Sequence, residues 1–118
     1  MNKNPAQIIA ALKDRGCQID EAMPRFLNDT TFYVTLLAQV PAEPAFEELG
    51  KQLKANDLKG AFESAHTLKG MLGNMGLTPL FDLACAIVEP LRIGKRDNVD
   101  SNYAKLMAKK DELIALLR

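Results

Sequence analysis

Every strong apolar pattern in this chain recurs at helical spacing, and no stretch shows the strict alternation of a half-buried strand. No internal repeat is visible either. Helices with one apolar face and short loops must bury those faces on one another. The chain is therefore expected to be all-α, an antiparallel helix bundle. Its 118 residues suit one domain, 1–118, long enough to bury a core.

The first helix is expected after Asn4-Pro5, a cap residue and a proline at the first helical position. Ile8, Ile9 and Leu12 share its face, and Gly16 can end it. A short second helix follows Asp20, with Ala22, Met23, Phe26 and Leu27 as its apolar residues. Asp29 or Thr30 caps a third segment carrying Phe32, Tyr33, Leu36, Leu37 and Val40. Pro41 and Pro44 interrupt, and Phe46, Leu49 and Leu53 resume the period as far as Asn56-Asp57. We expect one long kinked element here rather than two helices.

Asp57 caps the fourth segment, which runs to about Met75 with Leu58, Ala61, Phe62, Ala65, Leu68 and Leu72 on its apolar stripe. Thr78-Pro79 reads as the cap and first position of a fifth. Its core face is Leu80, Leu83, Ala84, Ile87, Val88 and Leu91, with a break or kink at Pro90. Asp97 can cap a last helix carrying Tyr103, Leu106, Met107, Leu113, Ile114 and Leu117.

Fifteen basic residues balance fifteen acidic ones, and the basic ones are scattered. A phosphate backbone recruits a basic surface, so nucleic acid is not an expected partner. No segment approaches the roughly 18 apolar residues of a membrane span, and the N-terminus lacks a signal-peptide core. A cytoplasmic protein is expected. Cys17 and Cys85 lack CxxC spacing and are expected to be reduced and packed.

The stretch "AHTLKGMLGNMG", residues 65–76, carries His66, the only histidine, followed by Gly70, Gly73 and Gly76. Glycine within a helix costs about 0.5–1 kcal/mol relative to alanine. On a helical wheel Lys69 lies about 60° to one side of His66, Gly70 about 40° to the other, and Gly73 about 20° off its line. Lys59 and Glu63 fall on the same half one or two turns back. Ala65 and Leu68 point into the bundle. The imidazole should therefore stand at the solvent side with bare backbone beyond it, leaving room for a protein or a bulky group on the ring. Lys69 can swing its ammonium toward an anion carried there. A neutral imidazole is a good nucleophile near neutral pH, which suits a phosphoryl carrier. On this reading Gly70 and Gly73 serve access rather than internal packing, and alanine at position 73 should leave stability unchanged or slightly higher.

Other chemistries lack parts. No second His or Cys lies within helical reach of His66, so no metal site is expected. Ser64 and Thr67 point away from any site shared with the imidazole. There is no phosphate-cradling GxxxxGK[ST] loop, and "GMLGNMG" follows helix rather than strand, against a dinucleotide site. No cofactor is expected.

"AHTLKGMLGNMG" resembles the signature of histidine-containing phosphotransfer (HPt) domains, a histidine followed three and four residues later by Lys-Gly. "DEAMPRFLNDTTFYVTLL" is similar to the family's helical lead-in, "LKANDLKGAFESAHTLKG" to its turn into the active helix, and "GLTPLFDLACAIVEPLR" to the hairpin partner. The resemblance covers roughly residues 18–117. It implies a four-helix-bundle core, with one or two extra helices before it. It implies that His66 takes a phosphoryl group from a receiver-domain aspartate and passes it to another, with Lys69 balancing its charge. The partners implied are receiver domains of a hybrid sensor kinase and of a response regulator. They would dock on Lys59, Phe62, Glu63, Gly70, Gly73 and Asn74 of a monomeric carrier. With neither nucleotide loop nor acidic cluster, the chain is expected to have no kinase activity of its own. Two rival readings stand beside this one. The first is the phosphotransfer domain of a chemotaxis-type histidine kinase, which shares the His-x-x-Lys-Gly pattern. The second is a helical adaptor whose histidine is incidental.

Overall fold

In the computed structural model, which describes residues 3–118, all regular structure is helical. Helix α1 (Pro5–Asp14) starts with reciprocal capping: the Asn4 side chain accepts from the Gln7 amide at 2.8 Å, and the Gln7 side chain accepts from the Asn4 amide at 3.0 Å. Gly16, with φ of +86°, turns the chain out of it.

Helix α2 (Ile19–Ala22) is one turn long, begins one residue before Asp20, and passes into a 3₁₀ turn over Met23–Phe26. Leu27 does not join the core as expected. Its left-handed backbone, φ 60°, breaks the helical period, and its side chain is 82% exposed. Helix α3 (Thr30–Leu37) is capped by Asp29, whose side chain accepts from the Phe32 amide. Tyr33 and Leu37 are buried, whereas Phe32 remains 41% exposed.

The proline-rich stretch is two helices, not one kinked element. Helix α3 ends at Leu37, a 3₁₀ turn spans Val40–Ala42, and α4 (Ala45–Lys54) begins after Pro44. Glu43 is extended, with ψ 122°, as the residue before a proline prefers. That one extended residue separates the two helical directions.

Helix α5 (Leu58–Asn74) is capped by Asp57, whose side chain accepts from the Gly60 amide at 2.9 Å. In α6 (Thr78–Arg92) the cap position is Leu77, not Thr78. The Thr78 hydroxyl instead accepts a 3.2 Å bond from the Gln18 amide, a tertiary partner. Pro90 neither breaks nor ends α6, because it sits in the last turn and removes only one backbone bond there. Helix α7 (Val99–Leu117) starts after Asn98, which has φ 59°, so Asp97 is not its cap.

Helix α5 packs against α4 and α6, α6 against α7, and α7 returns to α4. Short connections make successive members antiparallel, giving the four-helix core α4–α7. The Tyr103 hydroxyl closes the ring by donating to the Phe46 carbonyl at 2.7 Å. Helices α1, α2 and α3 form the N-terminal addition, α1 contacting both α3 and α7. One apolar cluster joins all these layers, with Tyr33, Phe46, Leu68, Leu72, Ile87 and Leu106 fully enclosed. Both cysteines are free, Cys17 buried and Cys85 half-buried. No helix among the described residues is long and apolar enough to cross a membrane.

Candidate functional site

The bundle decides which face of α5 meets solvent. Ala61, Ala65, Leu68 and Leu72 are fully buried, so His66, between two of them in sequence, is exposed. Ahead of it α5 stops in a reciprocal pair of bonds, Gly76 amide to Gly73 carbonyl and Leu77 amide to Leu72 carbonyl. Gly76 takes φ +72°, and a Cβ there would lie 2.7 Å from the Gln18 carbonyl oxygen. Gly76 is thus a helix terminator pressed against the N-terminal segment, not part of the bare face.

The last carbonyls of a helix need partners from outside it. Here the N-terminal segment supplies them. The Arg25 guanidinium donates to the Asn74 carbonyl at 2.8 Å and to the Gly73 carbonyl at 3.4 Å. The buried Tyr33 hydroxyl donates to the Met75 carbonyl at 2.6 Å, and the Gln18 amide to the Gly76 carbonyl at 2.9 Å. Burial pushes the Tyr33 hydroxyl well above the usual tyrosine range, so it stays a neutral donor.

An open groove runs along this end of α5, lined by Arg25, His66, Lys69, Gly70, Gly73, Asn74 and Phe81. Lys69 is half-buried, and among the described residues its ammonium takes part in no ion pair. A Cβ on Gly70 would find nothing within 4 Å, so this glycine does leave open space beside the imidazole. Gly73 differs. A Cβ there would lie 2.9 and 3.0 Å from the ring edge of Phe81 on α6. The expectation that Gly73 serves access and not packing is therefore corrected: its missing side chain is the space that Phe81 fills. The wheel placed Gly73 near the line of His66 correctly but could not show that α6 leans over that line two turns on.

Of the residues named from the sequence, His66, Lys69, Gly70, Gly73 and Asn74 meet in the groove, and Lys59, Phe62 and Glu63 lie behind it on α5. Lys59 and Glu63 are exposed. Phe62 is half-buried, its ring centroid 5.7 Å from that of His66 with the planes 32° apart. The Arg92 guanidinium of α6 stands over the Phe62 ring at 5.3 Å. Arg25 and Phe81 line the groove without having been singled out from the sequence. Neither sits in the motif, and Arg25 comes from a 3₁₀ turn 41 residues before the histidine.

The arrangement offers an exposed imidazole, a half-buried lysine a turn ahead, a second cation bonded to the helix end, and open space at Gly70 between them. The Ser64 hydroxyl is engaged 2.7 Å from the Gln52 side-chain amide on α4, away from the imidazole. Among the described residues no three His, Cys, Asp or Glu side chains gather as metal ligands. The family model described as Hpt domain matches residues 35–117, which include all of α4–α7 and exclude the segment that carries Arg25 and Tyr33. No curated protein and no solved structure among those compared matches the chain.

Proposed function

Because this chain belongs to the Hpt domain family, whose members carry out histidine phosphotransfer in two-component phosphorelays, we propose that His66 is the phosphoryl-accepting residue. The reading takes residues 1–118 as one such domain acting in the cytoplasm. The observation that carries it is the pairing of an exposed His66 with the open space at Gly70 in one groove. A receiver domain brings its phosphoaspartate to that groove. An imidazole nitrogen forms the N–P bond while the acyl-phosphate O–P bond breaks and the aspartate carboxylate leaves. The reverse exchange loads the next receiver. The receivers contribute the aspartate and its divalent cation. This chain contributes the nucleophile, the docking face and the charge of Lys69 beside the transferred group.

Incubation with a phosphorylated receiver domain should give one acid-labile phosphate per chain by mass spectrometry, absent in His66→Gln. Persistence of the label in that variant would overturn the assignment. Failure of the unaltered protein to take up any phosphate would favour a helical adaptor instead.

A further inference from the structure

We propose that Phe62, braced by Arg92, is a positioning residue that holds the His66 imidazole at a fixed tilt for phosphoryl transfer. The inference rests on His66 being the acceptor but concerns a contact that no motif assigns. An exposed histidine on a helix has two accessible χ1 wells and a broad χ2. Hydrogen bonds often orient such a ring through one nitrogen, yet among the described residues none is made by His66. Its ring instead lies against Phe62, one turn back on α5, with centroids 5.7 Å apart and a 32° interplanar angle. That separation is within the range where aromatic pairs attract.

Phe62 is not free to follow the imidazole. Its inner side packs on the hydrophobic core. Its ring also carries the Arg92 guanidinium at 5.3 Å, a cation over an aromatic face. Arg92 belongs to the last turn of α6 and lies 3.5 Å from the Glu89 carboxylate, a second hold on its position. The order is therefore α6, Arg92, Phe62, His66, each member limiting the next. Because this contact is between two rings and is not a hydrogen bond, it engages neither imidazole nitrogen. In-line attack needs the reacting nitrogen within a narrow range of position and angle, so a ring held in advance loses less freedom on reaching it.

A docking role and a positioning role for Phe62 separate by donor. Replacing Phe62 with leucine keeps an apolar side chain on the core and removes the aromatic face. We expect Phe62→Leu to slow phosphorylation by about two- to tenfold, the equivalent of one aromatic pair. The slowing should be similar with phosphoramidate and with a phosphorylated receiver. Phe62→Tyr should restore the rate with both, and Arg92→Gln should show the same donor-independent slowing to a smaller degree. In the unphosphorylated proteins, proton NMR of the single histidine should show a ring-current displacement of its ring protons that is lost in Phe62→Leu and kept in Phe62→Tyr. Slowing confined to the receiver reaction, with histidine resonances unmoved, would overturn the proposal and leave Phe62 as a docking residue. If no donor phosphorylates the unaltered protein, the acceptor assignment fails by itself, and the NMR displacement still decides whether Phe62 holds the ring.

Discussion

The Arg25 guanidinium donates a 2.8 Å hydrogen bond to the Asn74 carbonyl, tying the N-terminal segment to the end of the helix that bears His66. A cation at a helix C-terminus stabilises it by about 0.3–1 kcal/mol when exposed. Arg25 also lines the groove with His66 and Lys69. Arg25→Ala should therefore lower stability by about 0.3–1 kcal/mol in denaturant melts. The same variant should slow transfer from an anionic phosphorylated receiver at low salt, with the difference shrinking as salt rises. A receiver reaction that is unaltered at all salt concentrations would confine Arg25 to capping.

Gly70 and Gly73 should answer alanine with opposite signs. At Gly70 the added methyl meets nothing, so Gly70→Ala should raise stability by about 0.5–1 kcal/mol through helix propensity. At Gly73 the methyl displaces Phe81, and overpacking of this kind costs about 1–3 kcal/mol. Net destabilisation is expected despite the propensity gain, and Phe81→Leu should relieve it in the double variant. Thermal melts of the unaltered protein, the two alanine variants, Phe81→Leu and the double variant test this, and a stabilised Gly73→Ala would show that Phe81 gives way freely.

Tyr33 supplies both a mutational and a pH test. Phenylalanine at this position keeps the ring but leaves the Met75 carbonyl without its buried donor, which should cost about 1–3 kcal/mol. The folded state holds the Tyr33 hydroxyl neutral above its ordinary value of 10.0, whereas the unfolded chain ionises there. Its contribution is thus fully present below pH 10.0 and is lost as pH rises above it. Melting curves on either side of that pH should show a shallower alkaline decline for Tyr33→Phe than for the unaltered protein.

Lys69→Ala should fold normally and shorten the life of phosphohistidine or slow its transfer. One partly screened charge pair is worth about 0.5–1 kcal/mol, or about two- to fivefold in rate. Pulse-labelling followed by chase with an unphosphorylated receiver measures both. Identical kinetics would remove Lys69 from the site.

The helices were legible because their signals are local. Asn4 and Gln7, or Asp57 and Gly60, cap a helix through partners three residues away. The line of His66, Lys69 and Gly70 off the buried stripe followed from the 3.6-residue period and the buried Ala65 and Leu68 beside it. Less legible were the places where a local choice was open. Thr78 could cap α6 or bond the Gln18 amide, and the tertiary partner won. The stretch through Pro41 and Pro44 could kink or break, and an extended Glu43 let α3 and α4 take separate directions.

By itself, then, the sequence determined that the chain is helical, roughly where α1, α5, α6 and α7 lie and which stripe of each is apolar, and that the single histidine stands off that stripe beside Gly70. Those properties depend on neighbours within a turn or two of one helix. Only the tertiary structure decided that Arg25 reaches the end of α5, that Phe81 occupies the space at Gly73, and that Arg92 reaches the ring of Phe62. These contacts join residues on different elements. Their partners are set by how the helices lean on a shared core, and no spacing along the chain encodes that angle.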